Sequence, residues 1–216
     1  TAKRTDLNSP KNGFFLLPSP GILNGKLIDG LVRDTKFSAN RGFYDSPFDL
    51  EISTETEGAQ IRYTLDGSEP SESKGILYDG PININDTTIL RAIAYKDNFT
   101  PTNVDTQTYL FPEKVAVQTN NPAGYPSSWA GVRADYGMDD DPVDFRRAAG
   151  DASYSMSAAK TAIADSLKSI TTISIVTDKD NLFDRIKGIY PNPGSRGSQW
   201  ERPVSVEIIN GDGGDD

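Results

Sequence analysis

Residues 37–111 read FSANRGFYDSPFDLEISTETEGAQIRYTLDGSEPSESKGILYDGPININDTTILRAIAYKDNFTPTNVDTQTYLF. Short apolar–polar alternations are broken by turn clusters about every eight to twelve residues, the rhythm of a small β-sandwich. Phe48, Leu50 and Ile52 alternate with Asp49, Glu51 and Ser53, the pattern of a half-buried strand. Gln60 to Leu65 alternates again, with Ile61 and Tyr63 on one face. Asp66-Gly67-Ser68 predicts a tight turn, in which Asp bonds nearby backbone and Gly accepts positive φ. Leu77-Tyr78 and Pro81 to Ile84 predict short strands, and Thr88 to Tyr95 a longer one rich in β-branched residues. Val104 to Phe111 closes the series, and Pro112 stops it.

Outward from this core the text changes. Residues 1–34 hold no complete domain, although Phe14-Phe15-Leu16-Leu17 suits one buried strand before Pro18 and Pro20. Leu27, Ile28, Leu31 and Val32 supply packing residues in a loose connection. Residues 114–150 read as loop-rich, with Val115 and Val117 extending a strand outward. From residue 151 the class changes. Ala159, Ile163 and Leu167 recur at helical spacing behind Ser155 or Ser157 as N-cap. Ile173, Ile175 and Val176 follow as a strand, Lys179 to Phe183 as a helical turn, and Pro203 to Ile209 as a strand with Val204, Val206 and Ile208 on one face. The fold class is therefore mainly β with an α/β portion: a sandwich over residues 35–113 and an incomplete mixed α/β segment over residues 151–216. That segment needs partner strands from residues 113–150 or from beyond Asp216 to bury both sheet faces.

Composition excludes much chemistry. The 216 residues contain no His and no Cys. Ser-His-Asp and Cys-His nucleophiles are therefore excluded, as are Cys/His zinc sites and disulfides. A metal would have to be a hard, oxygen-bound ion such as Ca²⁺. The net charge of −9 repels phosphate backbones, which argues against nucleic-acid partners. No apolar run approaches the ~20 residues that span a bilayer, so no membrane insertion is expected. The chain starts at Thr1 without a basic, apolar leader and reads as a fragment or processed product whose targeting signal lay upstream.

Three resemblances run in order along the chain. Phe15-Leu16-Leu17-Pro18-Ser19-Pro20-Gly21-Ile22-Leu23-Asn24 resembles the end of a bacterial lamin-tail domain. Gly42-Phe43-Tyr44, the phrase Ile61-Arg62-Tyr63-Thr64-Leu65-Asp66-Gly67-Ser68-Glu69-Pro70 and Thr87-Thr88-Ile89-Leu90-Arg91-Ala92 resemble the chitobiase/β-hexosaminidase C-terminal domain. That resemblance implies an Ig-like antiparallel sandwich of accessory, non-catalytic type. Asp135-Tyr136-Gly137-Met138-Asp139, Gly188-Ile189-Tyr190 and Trp200-Glu201-Arg202-Pro203-Val204-Ser205-Val206-Glu207 resemble the opening of a spore-coat CotH-like atypical kinase domain. In that family the catalytic and nucleotide-binding residues come further along, and no position here matches them. The order of the three implies an extracellular or cell-surface bacterial protein of many domains.

The candidate sites are few. Tyr63, Asp66 and Tyr78 have the residue types of a sugar-binding edge, with rings for stacking and a carboxylate for hydroxyls. Asp139, Asp140, Asp141 and Asp144 form the densest acidic run and are the Ca²⁺ candidates, although they lack the EF-hand spacing. Asp178, Asp180 and Asp184 lack it as well, and a solvated loop explains both runs. Trp129 and Trp200 read as core or interface anchors. No paired-carboxylate motif singles out a glycosidase. The expectation is a chain that is not an enzyme and needs no cofactor. It would act as a spacer or surface-attachment module partnered by neighbouring domains. Self-assembly of like copies through an unprotected edge strand is a variant. The alternatives are a carbohydrate-binding accessory module acting on polysaccharide and an N-terminal fragment of a CotH-like kinase without its active site.

Overall fold

A computed structural model describes residues 3–5, 12–15, 27–138 and 155–211. In chain order the elements are β1 (Lys3–Thr5), β2 (Asn12–Phe15), β3 (Leu27–Ile28), β4 (Gly30–Leu31), β5 (Thr35–Phe37), β6 (Gly42–Phe43), β7 (Phe48–Leu50), β8 (Ile52–Thr54), β9 (Gln60–Thr64), β10 (Ile76–Leu77), β11 (Ile82–Ile84), β12 (Thr88–Tyr95), β13 (Phe99–Thr100) and β14 (Asp105–Leu110). They continue with α1 (Pro112–Val115), β15 (Ser128–Trp129), β16 (Val132–Arg133), α2 (Met156–Ser169), β17 (Thr172–Val176), α3 (Lys179–Phe183) and β18 (Ser205–Ile209).

The fold is mainly β, a sandwich followed by a smaller α/β portion. One layer is a five-stranded sheet in the order β10-β9-β12-β14-β6, antiparallel except for the parallel β14–β6 pair. The facing layer is built by β7 and β8, which pair with β11 and β5 respectively. The alternation read from the sequence explains the packing. Leu50, Ile52, Ile61, Ile82, Ile84, Leu90, Ala92 and Ala94 all point into the space between the layers, where Tyr109 and Phe111 join them. Val32 belongs to this core as well, delivered by β4, whose parallel pairing to β13 ties the preceding segment to the sandwich. Tyr44, Phe48 and Tyr109 pack ring to ring at one end, the closest pair 4.3 Å apart between centroids.

One local expectation needs correction: Val115 and Val117 extend no strand. Pro112 is the first residue of α1, with Phe111 extended before it, because proline's fixed φ and missing N–H suit a helix start. Asp66-Gly67-Ser68 forms the tight turn expected, opening the 65–75 connection between β9 and β10. The Asp66 carboxylate accepts from the Ser68 amide at 3.1 Å, Gly67 takes φ +76°, and the turn leans on β12 through Gly67 N–H to the Ile89 carbonyl. The strand near Phe14 runs over Asn12–Phe15, in a three-stranded sheet with β1 and β3. Residues 16–26, which carry most of the lamin-tail resemblance, lie outside the described residues.

The α/β portion begins where Ser155 caps α2, its Oγ accepting from the Ala158 amide at 3.1 Å. Ala159, Ile163 and Ala164 are the buried stripe of α2, which packs on α1. Ser155→Ala should lower the stability of this portion by about 1 kcal/mol, because one amide at the helix start loses its acceptor. Urea titration of the helical circular dichroism measures it as a lower midpoint at unchanged slope. β17 and β18 then form an antiparallel ladder from Thr172–Ile209 to Val176–Ser205.

Candidate functional site

Strand parity decides what faces what. In the five-stranded sheet Leu90, Ala92 and Tyr109 point inward, so Ile89, Arg91, Thr106 and Thr108 point to the outer face. This face carries threonines and an arginine, yet Thr64, Arg91, Thr106 and Thr108 are all buried. The cover comes from the 65–75 connection and from the β17–β18 ladder. A polar face is best covered by polypeptide that brings polar partners, although Arg91 Nε and Thr106 Oγ1 are left without one here.

Glu207 is that partner. It lies mid-strand in β18, only 4% exposed, and both of its oxygens meet Thr108 of β14. Oε1 accepts from the Thr108 amide at 3.3 Å and Oε2 from the Thr108 hydroxyl. The Thr108 oxygen lies 2.8 Å from Ser174 Oγ of β17. Since Thr108 gives its proton to the carboxylate, Ser174 donates to Thr108. Around this joint, Asp178 accepts from the Glu69 amide at 2.7 Å, Lys168 pairs with Asp45, and Val176 packs against Gly67. Gly67 is held at φ +76°, and a Cβ there would stand 3.3 Å from Val176 Cγ1, so the turn glycine also makes room for β17.

Burial raises the Glu207 pKa above its ordinary value of 4.5, while the Thr108 hydrogen bonds and the Arg41 charge pull it down and only partly compensate. The Glu207 charge in turn helps to push the Tyr109 phenol up, after burial and Tyr44. A carboxyl whose pKa is higher folded than unfolded holds more protons in the folded state. Its contribution to stability is therefore full below 4.5 and is lost as pH rises through the raised folded value. Urea midpoints measured from pH 4.5 upward should fall more for the native chain than for Glu207→Gln, the difference between the two isolating this group from the other carboxylates.

The residues with sugar-binding types are placed differently. Tyr63 shares its face with Ile61 and points toward the core rim, where its ring meets that of Tyr78 edge-on at 6.4 Å. The Tyr78 hydroxyl accepts from the Ile52 amide at 3.1 Å. Burial raises the Tyr63 pKa, with smaller contributions from Asp79 and Tyr78. Asp66 is exposed. Its partial burial tends to raise the carboxyl pKa, but hydrogen bonds from Ser68 and the charge of Lys179 outweigh this and hold it below the ordinary value. Both rings are partly buried. Tyr95 is buried and bonded to Arg62.

The acidic candidates divide. Asp139, Asp140, Asp141 and Asp144 lie outside the described residues. Asp178 serves the joint, Asp180 pairs with Lys187 at 3.4 Å, and Asp184 accepts from the amides of Ile186 and Lys187, which lower its pKa. Among the described residues no group of three His, Cys, Asp or Glu is placed to hold a metal ion, and no helix is long and apolar enough to cross a membrane.

The sequence reading missed two features. β15 and β16 form a hairpin whose central residues Ala130 and Gly131 both have positive φ, a turn that alanine seldom marks. On it Trp129 joins Tyr125, Tyr136, Phe183 and Tyr190 in a ring cluster, with Trp129–Tyr190 at 4.8 Å and Phe183 stacked on Tyr190 at 12°. The rings face one another, so the cluster is packing between the hairpin and α3, the anchor role expected of Trp129. The second is Glu207. A lone charge at the centre of Ser205-Val206-Glu207-Ile208-Ile209 was the available signal.

Against known proteins, residues 50–109 match the family described as Fn3 associated, an Ig/fibronectin-like, non-catalytic β-module type. The match runs from the end of β7 to Tyr109 in β14 and covers a little over a quarter of the chain, leaving β5 and β6 before it and the α/β portion after it. Comparison with curated proteins and with solved structures gives no match.

Proposed function

We propose that this chain is a non-catalytic spacer of a larger bacterial surface protein, in which the sandwich is a rigid platform presenting the α/β portion. The observation that carries this reading is the Glu207–Thr108 joint. A buried carboxylate with both oxygens bonded to one residue, beside Val176 packed at Gly67, favours one orientation of the two parts, which a spacer needs and a flexible tether lacks. The match of residues 50–109 to a non-catalytic module type supports it. The phrases resembling a chitobiase C-terminal domain, a lamin tail and a CotH-like opening support placement in an exported multidomain protein. In that setting the α/β portion opens a CotH-like domain.

A glycan array with residues 1–216, run with calcium and again with chelator, tests the reading. No retention on chitin-type or other polysaccharides is expected, with folding verified by circular dichroism. Retention lost in Tyr63→Ala and Tyr78→Ala would replace the spacer with a carbohydrate-binding module. Retention that requires calcium would move the site to Asp139–Asp144.

A further inference from the structure

Among the described residues, Arg91 Nε and Thr106 Oγ1 are buried without a hydrogen-bond partner, and the two are neighbours. Arg91 of β12 stands directly opposite Thr106 of β14 in the antiparallel register, and strand parity turns both to the outer face of the sandwich. Each residue is only 8% exposed. The Arg91 guanidinium is served at its far end alone. Its Nη1 donates to the Gly67 carbonyl at 3.4 Å, and its Nη2 lies 3.7 Å from the Glu69 carboxylate. Thr64, the neighbour of Arg91 on β9, gives its hydroxyl proton to the Ser68 carbonyl at 2.6 Å. We propose that one internal water molecule bridges Arg91 Nε and Thr106 Oγ1 and is a fixed part of the covered outer face.

Chemistry favours water over a dry contact or an ion. A buried donor or acceptor left unmet costs its full desolvation, and here two are left side by side. Residues paired across an antiparallel ladder have Cβ atoms about 5 Å apart, a gap that a single water spans. Water accepts from the Arg91 N–H and donates to the Thr106 oxygen, so it meets both needs at once. An anion could accept from both groups. However, Glu69 already lies beside the guanidinium, and its charge and the net charge of −9 oppose a second negative group there. The inference is independent of the spacer reading, since the bridge uses neither Glu207 nor Thr108.

Oxygen-17 relaxation dispersion of residues 1–216 in H₂¹⁷O tests the inference, because it counts long-lived internal waters and is blind to exchanging hydroxyl protons. Thr106→Val keeps the shape of the side chain and removes its oxygen, whereas Thr106→Ser keeps the oxygen; circular dichroism verifies both folds. The expected result is an amplitude lower by about one water in Thr106→Val and unchanged in Thr106→Ser. Urea titration gives an independent sign. With the bridge in place, Thr106→Val costs Arg91 Nε its acceptor and lowers the folding equilibrium constant about tenfold. Without it, the valine merely removes an unmet hydroxyl, and the midpoint stays or rises. An unchanged amplitude in Thr106→Val, or a midpoint that does not fall, overturns the inference. So does a midpoint higher in sodium bromide than in sodium fluoride at equal ionic strength, for the native chain but not for Thr106→Val, since the ligand would then be an anion.

Discussion

Leu50→Ala lowers the stability of the sandwich by about 3 kcal/mol, within the 2–5 kcal/mol range for emptying a fully buried leucine site. Leu50 has no exposed surface and ends β7 where both layers meet, within the core built from Ile52, Ile84, Leu90 and Tyr109. The β-layers are held by ladders on either side and cannot close over the space, so the lost transfer energy and the cavity both count. Leu50→Met, which keeps the volume, should cost less than about 1.5 kcal/mol. Urea titration followed by tyrosine fluorescence separates the two. A loss below ~1 kcal/mol for the alanine variant would mean that the layers are not packed as described.

Thr108→Val has the second largest expected effect, about 2–3 kcal/mol, and it is felt at the joint. The valine keeps the shape and the backbone N–H but removes the hydroxyl that serves both Glu207 and Ser174. A buried carboxylate then keeps a single donor, and the penalty is its unmet hydrogen bonding. Amide exchange should accelerate in β17 and β18 while β9 and β12 stay protected, because the loss opens the joint and spares the core. Thr108→Val combined with Glu207→Leu should recover part of the stability, since the buried carboxyl is gone, while the residue-108 amide and Ser174 Oγ still lose their partners. Equal losses in the single and double variants would contradict the assignment of Glu207 to Thr108.

What the sequence made legible follows from how local each signal was. Thr88–Tyr95 and Lys179–Phe183 have the bounds expected of a β-branched strand and of a helical turn, and Ser155 caps α2 by a bond formed within four residues. The helical turn at Pro112 was not legible as such, because a proline after a strand reads equally as a stop and as a helix start. The orientation of Tyr63 was contained in the parity: sharing a face with Ile61, it must face the core rim as Ile61 does. Residue type alone, which suggested a sugar-stacking edge, carries no information on facing. The α/β ladder shows the limit most plainly. Alternation marks Ile173, Ile175, Val206 and Ile208 as the burying face, whereas the threonine-rich outer face of the sandwich selects Ser174 and Glu207 instead. That choice depends on a surface about a hundred residues away in sequence, and no window along the chain contains it.

The central claim is that sandwich and α/β portion move as one body. Backbone ¹⁵N relaxation tests it most directly, recorded on the dilute chain. Amides of β12 and β14 and amides of β17 and β18 should report one rotational correlation time, and Thr108→Val added to that chain should shorten it for β17 and β18 alone. A shorter correlation time for β17 and β18 before Thr108 is changed would contradict a rigid joint, and the spacer reading with it.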